Sequence, residues 1–485
     1  MGDEARPHEI DRRALWGLFA LALGVRLFFL FISDNEDGDA FARIQLSRAA
    51  VDEGRWLPTE VWLPVHFWIL SIPYALGLHG QIWARCLTAL VGAGTVPFAG
   101  RLIARVFNGK AALAGGLILA LNPLHIRYSV VTVSEAFLGF FVVVGLWGFT
   151  EWVSHGGYRY VMLGTLAMNL ACGNRMEAWL VVAICLGVVL GGPHLAWKEF
   201  GPDAKRRGIA FCALSSLFAC GWMIFSYIGY GDALHIATLN TGRVEADPIY
   251  QRSIGWYTLA FWPAVLFASL GPRAFLASFH GATRAAVRGP GRFLSLLFFG
   301  CLAIYYVQNA RSGMITDARY GVFLLILLVI GAGPAWERWG DGARRVRCLG
   351  LAAAWLVMVW VLGILPLGIL SAKMQSVSPC PRIKAEIREV DGWLRSQPRP
   401  PVVALGPGLG RYGPWYSLLD DWYPESRVMV VKSEEALVRA VQSHESGYVV
   451  LGKEKSPDAA LWLRHLPSVT LLRVHSGPEF EAYRW

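Results

Sequence analysis

Charge is what this sequence has least of. Only 16% of its 485 residues are Asp, Glu, Lys or Arg, against about 25% in an average soluble domain. The hydrophobic share is 55% and comes in long runs, which excludes a large soluble core and points to a polytopic membrane protein. A disulfide framework is also missing: seven of the eight cysteines (Cys86, Cys172, Cys185, Cys212, Cys220, Cys301, Cys348) fall in apolar runs, and Cys380 has no partner in the polar region around it. Structural thiols are the simplest reading. No fixed-period repeat or low-complexity tract is visible. No small-residue cleavage site follows the first apolar run, Ala14 to Ile32, so that run is expected to be retained as a span. The net charge of +10 does not require nucleic acid, because its distribution reads as a topology signal.

Apolar runs fall near 14–32, 64–78, 83–103, 111–127, 136–153, 160–173, 178–193, 209–230, 256–272, 292–308, 319–335 and 348–371. Basic clusters occur at Arg6/Arg12/Arg13, Arg101/Arg105/Lys110, Arg159, Lys198/Lys205/Arg206/Arg207, Arg273/Arg284/Arg288/Arg292 and Arg338/Arg344/Arg345/Arg347. All of them fall on one side, taken as cytoplasmic with the N-terminus, provided residues 64–78 form a re-entrant or interfacial helix. That run is short and carries Pro64, His66 and Pro73. The expectation is about eleven spans. Connections 33–82, 124–135, 173–178, 231–255 and 309–318 then share the other side.

From about residue 372 the composition shifts. Val402–Leu405, Val428–Val431, Tyr448–Leu451 and Val469–Val474 read as strands, and 383–395, 433–441 and 457–465 as helices. The expected organisation is a mainly α membrane domain, residues 1–371, followed by a small extracytoplasmic α/β domain, residues 372–485.

The polar residues that the far side collects are chemically unusual. Ser33 to Asp39 reads SDNEDGD, four carboxylates in six residues beside a hydrocarbon boundary, where charge is costly unless used. A helix-like stretch with Arg43 follows. Beyond it come Leu63–Trp68 with His66, Ala120–Phe137 with Arg127 and Glu135, Gly173–Leu180 with Arg175 and Glu177, and Asp317-Ala318-Arg319-Tyr320, with Arg311 nearby. Each has a bland reading too: a solvated acidic loop, a helix-capping His, a helix start at Ser134-Glu135, a structural ion pair and a snorkelling arginine. Arg175 and Glu177, two apart, meet across a turn and not along a helix.

Taken in order, these segments resemble the membrane glycosyltransferases of the C-type (GT-C) fold, such as the protein O-mannosyltransferases and the lipid A aminoarabinose transferases. An acidic D-x-D (here Asp37-Gly38-Asp39) follows span one, a Pro/basic segment opens a juxtamembrane helix, and an Arg-Tyr begins a late span. The resemblance implies an inverting transfer of a hexosyl or pentosyl group from a polyprenyl-phosphate-linked sugar to a lipid, glycan or protein acceptor. Asp37 or Asp39 would be the base; the spacing does not separate them, and Asp37 is the preferred one. Arg319 and His66 would face the donor phosphate, with Arg311 in reserve. Glu135 would bind acceptor or hold Arg127, and Arg175 and Glu177 would line the cavity. The implied partners are that donor, an acceptor and membrane lipids, with no nucleic acid. No cofactor is required, since arginine can neutralise a monophosphate, although the acidic cluster is compatible with a divalent cation. The short loops and the absence of targeting features point to a bacterial inner membrane, with an internal eukaryotic membrane as the alternative. The alternatives are a lipid-linked sugar transporter or flippase without chemistry, and a non-catalytic scaffold.

One motif is set aside. Gly408-Leu-Gly410-Arg-Tyr-Gly413 matches the dinucleotide fingerprint. Pro407 and Pro414 interrupt the turn it needs, and the next strand ends at Lys432 and not at an acidic residue.

Overall fold

The computed structural model describes residues 10–36, 38–57, 62–78, 80–191, 203–246, 257–288, 291–312, 317–365, 376–382, 392–394, 396–397, 402–405, 427–430, 434–443, 446–452, 472–476 and 480–484. Asp37 and the Gly408–Gly413 motif lie outside them, as do the expected helix 457–465 and most of 383–395.

The chain opens with α1 (Arg12–Ile32), whose 21 residues give about 31 Å, enough to cross a bilayer core. A loop leads to α2 (Gly38–Asp52) and then α3 (Val65–Ala75), which at 11 residues is too short to span. There follow α4 (Gln81–Val106), α5 (Gly109–Ala120), α6 (Pro123–Val130), α7 (Glu135–His155), α8 (Tyr158–Asn174), α9 (Glu177–Gly191), α10 (Ala204–Ser215), α11 (Leu217–Tyr230) and α12 (His235–Ala246). The late helices are α13 (Tyr257–Leu270), α14 (Pro272–Arg288), α15 (Arg292–Ser312), a 3-10 turn at Ala318–Tyr320, α16 (Gly321–Gly331), α17 (Gly333–Trp339) and α18 (Gly342–Ile364). Among the described residues, α1, α4, α7, α18 and the stretch α10–α11 taken as one are long and apolar enough to cross a membrane, five in all, or eight if each bent pair counts as one.

Those bent pairs are where the structure departs from the sequence reading. The run 111–127 is not one helix: α5 and α6 meet at 58°, because Pro123 cannot continue α5 and Asn122 caps the new helix through His125 N. The run 319–335 breaks likewise, by 67°, before Pro334. Residues 273–288, which carry a basic cluster between two apolar runs, form α14, set at 119° to α13 after Gly271-Pro272. Part of the expected loop 231–255 is α12. Backbone groups freed at such breaks need partners inside a membrane. At the first break Arg26 of α1 supplies one: it is fully buried, donates to Ala120 O at 3.3 Å and Ala22 O at 2.9 Å, and meets His125 Nδ1. Asn122 ties that break to the α13 break by donating to Ser269 O at 3.0 Å.

The helix ends sort onto two faces. Arg85, in the first turns of α4, joins Ser33 Oγ (2.9 Å) to Val130 O (2.8 Å), which puts the start of α4, the end of α1 and the end of α6 together. At the other end of the bundle Lys110 pairs with Asp341 at 2.6 Å and Arg105 with Glu151 at 3.7 Å. The second face therefore holds Arg105, Lys110 and the start of α18, with Arg344, Arg345 and Arg347 exposed.

Near the C-terminus, β1 (Val402–Leu405), β2 (Arg427–Val430), β3 (Tyr448–Gly452), β4 (Leu472–Ser476) and β5 (Phe480–Arg484) form one mixed sheet of order β2-β1-β3-β5-β4. β2 and β3 pair parallel to β1, and β5 pairs antiparallel to both β3 and β4. A short helix, α19 (Glu434–Gln442), leads towards β3. The sequence reading missed β5, whose FEAYR alternates buried and half-buried residues. Segment 376–382 docks on the Ser33 face: Pro381 O accepts from Asp34 N (2.9 Å), and Cys380 Sγ faces Ile32 O.

Candidate active site

Two loops build the site, and the backbone fixes one against the other. Asn35 lies between them, its Oδ1 accepting from Thr132 N and its Nδ2 donating to Thr132 Oγ1, both at 2.9 Å. Thr132 Oγ1 also reaches Ala40 O in α2. The acidic turn before α2 is therefore held against the loop that launches α7 at Glu135.

Asp39 stands in the first turn of α2, where a carboxylate suits the positive end of the helix. Its Oδ2 accepts from Arg319 Nη1 at 2.5 Å. Arg319 follows Asp317, whose Oδ1 accepts from Arg319 N and starts the 3-10 turn. Arg319 Nε also lies 3.9 Å from Glu135 Oε1. Glu135 is almost fully buried, and the same Oε1 accepts from Arg175 Nη1 at 2.7 Å. Arg175 is extended at the end of α8 and Glu177 opens α9, so the two meet across a turn, with Glu177 Oε1 accepting from Arg175 Nη2 at 2.6 Å. Tyr320 lies against both guanidinium planes, 5.0 Å from each. The result is a chain of alternating charge: Asp39, Arg319, Glu135, Arg175, Glu177.

Burial pushes Asp39 upward, but the charge and hydrogen bond of Arg319, helped by Arg43 and Arg175, outweigh it and hold the carboxyl below its ordinary value. Glu36 shows the opposite balance: burial raises it, and Arg127 offsets only part of that.

Among the expected site residues, Asp39, Glu135, Arg175, Glu177 and Arg319 come together. Arg127 stands apart from them, paired with Glu36 at 2.9 Å and not with Glu135, and donating to Ser378 O. His66 is fully buried at the start of α3, its Nδ1 3.2 Å from Arg43 Nη1, with Phe137 edge-on to the ring. A histidine enclosed beside a guanidinium is poorly placed to serve as a phosphate-facing cation. Arg311 closes α15, and its side chain lies outside the described residues.

Arg43 is the residue that sequence reasoning left out of the site. It is buried against Trp62, next to His66, and its charge acts on Asp39. Its spacing was the available signal, since Asp39 and Arg43 are four apart on one helix and share a face.

The described carboxylates here are compensated by arginines. Among the described residues no three His, Cys, Asp or Glu side chains converge as metal ligands. The arrangement offers a partly exposed carboxylate beside a partly exposed guanidinium, both braced from behind.

No protein-family model matches the chain, and no curated protein matches it. Solved structures do. ArnT from Cupriavidus metallidurans bound to undecaprenyl phosphate is 16% identical with a TM-score of 0.63, over 98% of this chain and 98% of that one. The Archaeoglobus fulgidus oligosaccharyltransferase AglB, in complex with an inhibitory peptide and a dolichol-phosphate, is 11% identical with a TM-score of 0.54, over 91% of this chain and 69% of that one. The arabinofuranosyltransferase AftD from mycobacteria is 16% identical at 0.50, over 98% of this chain and 41% of that one. The chain thus has the fold these membrane proteins share, the GT-C fold.

Proposed function

We propose that this chain is an inverting glycosyltransferase. It moves a hexosyl or pentosyl group from a polyprenyl-phosphate-linked sugar onto a lipid, glycan or protein hydroxyl at the membrane face that carries Asp39. The observation that carries the reading is the meeting of Asp39 with Arg319, a proton acceptor and a phosphate-binding cation brought together from opposite ends of the membrane portion. The lipid phosphates named with the similarly folded ArnT and AglB structures support a lipid-linked donor.

In this reading the acceptor oxygen attacks the anomeric carbon as the bond from that carbon to the phosphate oxygen breaks. Asp39 takes the hydroxyl proton, and polyprenyl phosphate leaves with its charge on Arg319. The lowered Asp39 carboxyl is ionised at neutral pH but a weak base while paired. A donor phosphate that competes for Arg319 loosens that pair and makes the carboxylate more basic when the acceptor is present. Glu135, Arg175 and Glu177 fix Arg319 from behind, and His66 positions Arg43. The excess of arginine at the opposite face supports a cytoplasmic assignment of that face and an extracytoplasmic site. No metal is required.

The broken helices favour a second reading, a transporter or flippase for the same lipid-linked sugar, since such breaks also build transport sites. Purified Asp39→Asn protein given a radiolabelled polyprenyl-phosphate sugar and membrane acceptors separates the two. Loss of covalent transfer with donor binding retained supports the enzyme; transfer at the wild-type rate sinks it.

A further inference from the structure

A cleft beside two of the helix breaks is a feature that the transfer reaction does not use. The breaks at Leu121–Pro123 and Gly271–Pro272 face each other, and α18 closes the third side of a cleft of about 300 Å³. Its walls are mostly apolar, and Asn122, Cys348, Ala352 and Trp355 are among them. The backbone acceptors beside the cleft are already satisfied: Ser269 O takes Asn122 Nδ2, and Ala268 O takes Trp355 Nε1 at 2.9 Å. That leaves a slot suited to hydrocarbon, of a volume that holds part of an acyl chain.

The rim supplies charge of one sign. Arg273 lines the cleft in the first turn of α14. The whole helix, PRAFLASFHGATRAAVR, contains three arginines and a histidine with no acidic residue. Arg273, His280 and Arg284 are exposed alongside Leu276, Phe279 and Val287. Apolar and basic side chains sharing one exposed strip are the pattern of a helix lying in a membrane interface that attracts anionic headgroups. Trp339, a residue type of membrane interfaces, stands at the same cleft. Arg344, Arg345 and Arg347 continue the positive surface at the start of α18.

We propose that this is a binding site for one anionic phospholipid, with an acyl chain in the cleft between the two helix breaks and the phosphate on Arg273 and the first turn of α14. The cleft gives the site its shape and the basic helix gives it its charge preference. The site does not depend on the transferase reading.

The test is native mass spectrometry of the full-length protein released from vesicles that mix phosphatidylglycerol with phosphatidylcholine, supported by thermal melting in detergent with each lipid added back. Wild type should retain phosphatidylglycerol in preference to phosphatidylcholine. Arg273→Gln should weaken that retention about fivefold, the effect of one interfacial charge, and Arg273→Lys should restore most of it. Ala352→Phe, which fills the cleft, should abolish it. Should Ala352→Phe fail to fold, the glutamine and lysine variants at the exposed Arg273 decide alone. Equal retention of the two lipids, or retention unchanged in Arg273→Gln, overturns the proposal. So does stabilisation by glycerol phosphate equal to that by the intact lipid, which would mean an anion site without a chain site.

Discussion

Arg319 and Asp39, 280 positions apart in the chain, meet at 2.5 Å on the rim of the bundle, with Asp39 29% and Arg319 12% exposed. An ion pair this buried is weak evidence of stability, because the desolvation of the two charges offsets their attraction. Asn35 with Thr132 and Arg85 with Ser33 and Val130 fix the acidic turn, and α16, packed on α7 with Ile326 against Gly139, carries Arg319 to it. The pair is better understood as two reactive groups each holding the other's charge until a substrate arrives.

Replacing Asp39 by Asn keeps the shape and removes the proton acceptor. Transfer should fall by about 10²–10⁴, the usual contribution of a positioned general base, with melting temperature nearly unchanged. Asp37→Asn, measured beside it, decides between the two carboxylates. A larger loss for Asp37 would move the base to that position.

Arg319→Lys keeps the charge and loses the planar fork that a phosphate and Asp39 can share. The expected result is a raised KM for the lipid-linked donor with a smaller fall in kcat, and a deeper loss of both for Arg319→Gln. A lysine variant with wild-type KM would show that Arg319 does not touch the phosphate.

Much of this site can be read from residue order. The acidic turn, Glu135, the Arg175/Glu177 turn and Arg319 announce themselves as charges at the ends of apolar runs, where hydrocarbon makes unused charge expensive. The partnerships cannot be read that way. Nothing in the chain distinguishes Glu36 from Glu135 as the partner of Arg127, because the choice is made by the Asn35–Thr132 bonds that set the register of two loops. The breaks in runs 111–127 and 319–335 were signalled by Pro123 and Pro334 but outweighed by hydropathy, which reports burial and not direction. α14 was hidden for the opposite reason: its arginines read as a basic cluster between two apolar runs, and only the helical period places its small residues Ser278, Gly281, Ala282 and Ala285 on one buried side.

The two perturbed carboxyls predict opposite pH effects. Asp39 has a folded value below its unfolded one, so its contribution to stability is present above the unfolded value and lost as pH falls through the folded one. Because it stays ionised, transfer should show no acid limb from this residue between about pH 7 and 5, given an ordinary carboxyl value of about 4. Glu36 is raised, so its contribution is present below the unfolded value and lost as pH rises through the folded one. Glu36→Gln should remove that loss and flatten the melting temperature against pH above about 4.5. A steeper profile in the glutamine variant would contradict the balance of burial over Arg127.

Arginines already face the described carboxylates, so transfer should survive chelation. Full activity after dialysis against EDTA is the expected result. A loss restored by one divalent ion would place a metal among groups that include Asp37.

Arg26 offers the most direct test of how the broken helix is held. It is fully buried in α1, and its hydrogen bond to Ala120 O satisfies a carbonyl at the break where α5 ends, while His125 faces the same guanidinium from α6. Arg26→Met removes the donor and strands that carbonyl, which should cost about 1–3 kcal/mol and lower the melting temperature measurably. His125→Phe removes only the second contact and should cost less. If both act through the same junction, the double variant will be less destabilised than the sum of the two singles. Strict additivity would mean that Arg26 and His125 are held independently, and that the α5–α6 break is fixed by Asn122 and Pro123 alone.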